Sequence, residues 1–141
     1  MTAKEELMGY IYEQQKIDSL LELYQTYEAR AEKVTSLING MPKPQNKEIQ
    51  DSMAEIVAKM ADISNEYINQ LDIAENLRIK LQEKIKQIPQ PFQNILFFRY
   101  IANKGFDYIS KEMSLDQKYI INKHGEALQM YEKIMWSKVE K

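Results

Sequence analysis

At 141 residues the chain is long enough for one domain, or for a small domain with an extended element attached. It contains no cysteine, which excludes disulfides, thiolate metal sites and a cysteine nucleophile. Its net charge of -2 is wrong for a protein that binds polyanions by bulk charge alone. The charge is uneven, however. Residues 1–91 carry 11 basic against 15 acidic side chains, whereas 92–141 carry 8 against 6. The opening residues, Met1-Thr2-Ala3-Lys4-Glu5-Glu6, lack the apolar run of a signal peptide. No stretch approaches the ~18 apolar residues of a membrane span, so a cytoplasmic protein with no membrane partner is expected.

Four glycines and four prolines leave long uninterrupted stretches. The first, over 4–38, is broken only by Gly9. Ile17, Leu20, Tyr24, Tyr27, Ala31, Val34 and Ile38 recur at alternating steps of three and four, a heptad seam flanked by Glu and Lys. Leu7, Tyr10 and Ile11 extend it toward the N-terminus. Asn39-Gly40 predicts a left-handed C-cap, and Pro42 and Pro44 keep the helix from resuming, so 41–46 is a loop. A second helix over 47–86 repeats the spacing through Ile49, Met53, Ile56, Met60, Ile63, Tyr67, Ala74, Leu77 and Leu81, with Gln70 the one polar interruption. Ile68, Leu71, Ile73, Ile85 and Ile88 widen its apolar face. Two helices of roughly 55 Å each, joined by a short loop, predict a long antiparallel, coiled-coil-like hairpin over 1–88. Because two helices leave part of their apolar faces uncovered, a third helix or a second copy is expected to close the seam, with a homodimeric bundle preferred.

Pro89 and Pro91 bracket a hinge and open a second domain, 89–141. Pro91 suits the first turn of a helix over 91–103 carrying Phe92, Ile95, Leu96, Arg99 and Tyr100, and Lys104-Gly105 ends it. Asp107 starts the next helix, with Tyr108, Ile109 and Met113 turned inward. Ser114 or Asp116 caps the last, which continues through Leu128, Tyr131, Ile134 and Trp136. Two short amphipathic helices around a tight turn, the second polar on its free face, have the form of a helix-turn-helix. The expected fold class is therefore all-α: the hairpin followed by a C-terminal three-helix unit containing a helix-turn-helix.

Over 96–128 the chain is similar to region 4 of bacterial sigma factors, the helix-turn-helix that reads promoter DNA. Leu96, Arg99-Tyr100, Gly105, Ile109, Met113, Leu115, Ile120 and Ala127-Leu128 carry the match. With the Met1-Thr2-Ala3-Lys4 start, the Met41-Pro42 pair and His124-Gly125-Glu126-Ala127-Leu128, the whole layout resembles a family of small phage and prophage sigma-factor-like transcription regulators. The resemblance implies a sequence-specific binder of double-stranded DNA whose last helix, from Asp116 onward, enters the major groove. Its groove-facing residues are then Gln117, Lys118, Tyr119, Ile121 and Asn122. Gln and Asn suit adenine edges, Lys suits guanine or phosphate, and Ile121 suits a thymine methyl. Arg99, Lys104 and Lys111 are implied phosphate contacts that set register.

Three features depart from that pattern. Tyr119 and Ile121 stand where the family places Arg or another polar group, Lys123 takes an apolar position, and Ser114 replaces the turn glycine. With so few cations a lone helix binds DNA weakly, because phosphate neutralisation supplies most non-specific affinity. Dimerisation through the hairpin, or tethering to RNA polymerase, would raise the effective concentration.

No nucleophile with a base, phosphate loop or metal-ligand cluster stands out, so no catalysis, cofactor or metal is expected. His124, the only histidine, has no ligand-spaced partner and is expected as a polar residue at the edge of the last helix. Tyr10, Tyr24, Tyr27 and Tyr67, and Met53, Met60 and Met113, are expected as core filler at seam spacing. Asp62 and Glu66 stand one turn apart but lack the Glu-x-x-His pairs of a di-metal bundle. Two rival readings remain. One is a protein-interaction module docking through Tyr119 and Ile121 on RNA polymerase or a host regulator without binding DNA. The other is a structural coiled-coil protein in which the helix-turn-helix pattern is accidental.

Overall fold

The structure, a computed structural model, describes residues 1–40 and 47–137. The expected 41–46 loop with its Met41-Pro42 pair, and the side chain of Ile38, lie outside the described residues. Among these residues the chain is all-helical, with no strand. Helices α1 (Ala3–Asn39) and α2 (Lys47–Ile85) are followed by α3 (Phe92–Leu96), which runs into a widened helical turn over Phe97–Ile101. α4 (Phe106–Met113) and α5 (Gln117–Ser137) complete the described chain. No helix among the described residues is long and apolar enough to cross a membrane.

Contacts divide the chain into two compact units, Met1–Gln14 with Ile73–Lys141, and Gln15–Asp72. The division expected at 88/89 from the prolines is therefore not where the contacts fall. The first turns of α1 and the last turns of α2 pack with the short C-terminal helices. Within Gln15–Asp72 the heptad seam is the least exposed part of each helix. Ile17 and Ile63 are buried, and Leu20, Tyr24, Tyr27, Ala31, Val34, Ile49, Met53, Ile56, Met60 and Tyr67 are half-buried. Leu21, Leu23, Leu37, Val57, Ile68 and Leu71 remain exposed.

In the other unit the N-terminus of α1 is closed by a reciprocal cap. The Glu5 N–H donates to Thr2 Oγ1, and the Thr2 N–H donates to Glu5 Oε2, each at 3.2 Å. One residue on, Glu6 accepts from the Tyr131 hydroxyl at 2.5 Å and from Lys84 Nζ at 2.9 Å, so one carboxylate ties α1, α2 and α5. Burial, and then the bond to Glu6, push the Tyr131 hydroxyl above its ordinary range, so it stays a donor. Leu7, Leu81, Ile85, Ile88, Ile95, Leu96, Tyr100 and Ala127 are buried in the same unit. Each fully buried Leu or Ile contributes about 1.5–3 kcal/mol.

Two left-handed residues, Asn103 and Ser114, both with φ 55°, set the C-terminal turns. Past Leu96 the helical turn widens: the Ala102 N–H bonds five residues back to the Phe97 carbonyl at 3.0 Å, and the Lys104 N–H six residues back to the Phe98 carbonyl at 2.8 Å. Asn103, rather than Lys104-Gly105, makes the break, and Gly105 has an ordinary φ of -78° just before α4. α4 begins at Phe106 rather than at Asp107, and Phe106, Ile109 and Met113, spaced by three and four on one helical face, take its inward positions. Tyr108, expected inward, is exposed. Pro91 precedes α3, which begins at Phe92, and the Gln90-Pro91 peptide bond is cis. The left-handed cap expected at Asn39-Gly40 does not form. α1 runs through Asn39, the Gly40 N–H still reaches the Ser36 carbonyl at 3.1 Å, and no described glycine has positive φ.

At Ser114 the turn is a complete Schellman closure. The Ser114 N–H bonds to the Lys111 carbonyl at 3.3 Å and the Leu115 N–H to the Ser110 carbonyl at 3.1 Å. Ser110 Oγ donates to the Leu115 carbonyl at 2.5 Å, and Leu115 packs on the cluster of Ile95, Ile109 and Ile120. An L-residue with a Cβ pays for the left-handed conformation and glycine does not. Ser114→Gly is therefore expected to raise stability by about 0.5–1 kcal/mol in urea unfolding, and Ser114→Val to lower it by about 1 kcal/mol or more. A glycine variant less stable than the parent would contradict the role given to this turn.

Candidate nucleic-acid interface

α5 begins at Gln117, and the Asp116 carbonyl accepts the Ile120 N–H at 3.0 Å, so Asp116 is the residue that opens the helix. From there Ile120, His124, Ala127, Tyr131 and Ile134 follow steps of four and three along the covered face; Ile120, Ala127 and Tyr131 are fully buried. Their burial turns the remaining face of the leading turns outward. Gln117, Lys118, Tyr119, Ile121 and Asn122 are all exposed, with Tyr119 at 41% and Ile121 at 46%.

Arg99, Lys104 and Lys111 do not form an equivalent set. Lys104 and Lys111 are exposed, but Arg99 is half-buried. Its guanidinium lies 4.7 Å from the centre of the Phe106 ring, and Nη1 donates to the Lys104 carbonyl at 3.2 Å. Arg99 therefore helps hold the break before α4, with only part of its donor fork left over. The Lys104 ammonium sits over the Tyr108 ring at 4.9 Å, which gives that exposed ring a cation partner.

Lys123, expected on the inward face, lies beside it. Its ammonium pairs with Glu126 at 3.2 Å and approaches the Tyr119 and Phe92 rings at 5.3 and 5.7 Å. The inward position belongs to His124, which was expected at the edge. The seam spacing from Ile120 to Ala127 was the signal that could have placed it.

The His124 ring stacks on Tyr100 at 5.6 Å and meets Phe106 edge-on at 5.1 Å, and its Nε2 is 2.7 Å from the Tyr100 hydroxyl. Burial first, then the positive charges of Arg99 and Lys4, lower its pKa to about 4. Burial raises the Tyr100 hydroxyl, so Tyr100 keeps its proton and can donate to a neutral imidazole. At neutral pH the histidine therefore adds no positive charge to the face. Among the described residues no group of three or more His, Asp or Glu side chains is placed to hold a metal ion. No protein family, curated protein or solved structure matches this chain.

The depressed histidine has a pH signature with a definite sign. The unfolded chain takes up a proton as pH falls through about 6.5, while the folded chain does not until about 4. Stability is thus expected to fall as pH drops from 6.5 toward 4. Replacing the ring by His124→Gln should flatten the part of that fall above pH ~5, where carboxylates contribute little. The imidazole resonances of the single histidine, followed by NMR, should titrate near pH 4; a midpoint near 6.5 would contradict the packing described.

Proposed function

We propose that this chain is a sequence-specific, DNA-binding transcription regulator that works in the cytoplasm and is encoded by a phage or prophage. In this reading α1 and α2 form an antiparallel hairpin that pairs two copies. α4, the Ser114 turn and α5 form a helix-turn-helix resembling sigma region 4. The leading turns of α5 enter the major groove of double-stranded DNA. Gln117 and Asn122 read adenine edges, Lys118 a guanine edge or phosphate, and Ile121 a thymine methyl. Lys104 and Lys111 contact phosphates, with Arg99 contributing what its contacts with Phe106 and Lys104 leave available.

The observation that carries the reading is the outward face of α5. Polar groups able to pair with base edges occupy its first two turns, and the opposite face is pinned by Ile120 and His124. Exposure of Tyr119 and Ile121 on those same turns favours a second reading, docking of this face on RNA polymerase or a host regulator without DNA. The family resemblance and the positive balance of residues 92–141 favour DNA.

Lys118→Ala and Asn122→Ala are each expected to weaken binding to the cognate operator by about 1–3 kcal/mol, with circular dichroism unchanged. Operator fragments recovered by selection from the native genome, assayed by mobility shift, provide the measurement. Unchanged affinity in both variants would reject the assignment of these residues.

A further inference from the structure

A second stripe, apolar except for Ser64, runs along α2 beside its heptad seam. Ala54, Val57, Ala61, Ser64, Ile68 and Leu71 recur at the same alternating steps of three and four. Val57, Ile68 and Leu71 are 54%, 59% and 42% exposed, and Ala54 and Ala61 are exposed as well. Ser64 is partly covered where it lines, with Leu21, Tyr24 and Tyr67, a cleft of about 190 Å³. Scattered apolar residues on a surface are ordinary, but a continuous stripe at helix-packing spacing is not. A helix bearing two such stripes side by side is suited to two neighbours.

We propose that the second neighbour is α2 of another copy of this chain, lying antiparallel across a twofold axis between Asp62 and Ile63. Side-chain size carries both the occupant and the orientation. The stripe is small toward Ala54 and large toward Leu71. Antiparallel, Ala54 meets Leu71 of the partner subunit, Val57 meets Ile68 of the partner subunit, and Ala61 meets Ser64 of the partner subunit. Each larger side chain then faces a smaller one, and the small pair beside the axis lets the helices approach closely. In a parallel pair Ile68 and Leu71 would meet their own copies, while the alanines would face a gap that close packing does not tolerate.

The charge around the stripe sets its response to salt. Residues 15–72 carry 10 acidic against 6 basic side chains. In the antiparallel pair the exposed Asp51 lies near Asp72 of the partner subunit. These like charges oppose the contact and are screened by added salt, so the apolar association strengthens as salt rises. The inference gives geometry to the dimer in the function proposed above and rests on that part of it alone, not on what α5 binds.

The absence of native cysteine makes the register directly measurable. Ala54→Cys and Leu71→Cys forms of the full chain are prepared separately, then oxidised alone and as a mixture. The mixture is expected to give a covalent mixed dimer, and each form alone little product. Two copies of position 54 would stand roughly 25 Å apart at about 1.5 Å per residue, whereas a disulfide needs Cα atoms within about 7 Å. Sedimentation of the unmodified chain is expected to show a dimer fraction that grows severalfold from low to high salt. Ile68→Glu should abolish it with helicity unchanged.

A monomer at all salt concentrations would overturn the proposal. Self-cross-linking of Ala54→Cys would do the same, as would a stripe that only an added basic amphipathic peptide covers. No DNA is present in these assays, so their failure leaves the reading of α5 standing, and a failed mobility shift leaves this interface standing.

Discussion

The left-handed turn at Ser114 is the constraint on which the C-terminal unit depends. With φ 55° there, the chain closes α4 and restarts as α5 within three residues, and Leu115 is carried onto Ile109. The cluster of Ile95, Ile109 and Ile120 then fixes how α5 is rotated. A one-residue change in the length of that turn would rotate α5 by about 100° and bury a different set of side chains. The outward placement of Lys118, Ile121 and Asn122 is thus a consequence of where Ile120 goes in. Packing chose the buried residue, and the polar face is what remains.

A second tie holds the far end of α5. Glu6 on α1 takes the Tyr131 hydroxyl and the Lys84 ammonium together, and the Lys84 ammonium also lies 5.8 Å from the centre of the Tyr131 ring. A buried hydroxyl without an acceptor costs about 1–3 kcal/mol, so the carboxylate's place at the start of α1 is an energetic requirement of α5. This accounts for the grouping of Met1–Gln14 with the C-terminal helices rather than with the rest of α1. α5 is held at its start by the Ser114 turn and farther along by Glu6.

Much of the fold was legible from spacing alone. The three-four recurrence from Ile17 to Val34 and from Ile49 to Tyr67 predicts which side chains are least exposed, because helical periodicity converts directly into a covered face. Local chemistry was harder to read. Asn39-Gly40 is where the sequence predicts a left-handed cap, but Asn103 and Ser114 occupy that region, since hydrogen bonding and packing can outweigh a backbone preference of about 1–2 kcal/mol. In α4 the inward set steps by three and four from Phe106 through Ile109 to Met113, and Tyr108, the immediate neighbour of Ile109, falls outside it. The Thr2–Glu5 cap has a local signature, Thr-x-x-Glu. The Glu6–Tyr131 bond joins residues 125 apart in sequence and leaves no periodic trace. At the candidate interface, the exposure of 117–119, 121 and 122 followed from the seam, whereas the engagement of Arg99 with Phe106 depends on a tertiary approach that no local pattern encodes.

In the proposed reading the leading turns of α5 meet a nucleic-acid duplex and not a protein surface. The most direct test is the salt dependence of affinity for duplex DNA across a set of genomic fragments. Binding through phosphate and base contacts predicts that log K falls linearly with log salt, by about 0.9 for each phosphate neutralised. The slope should shrink by about 1 when one phosphate-contacting lysine, Lys104 or Lys111, is removed. Affinity for duplex DNA that is undetectable, or that does not change with salt, would contradict the account.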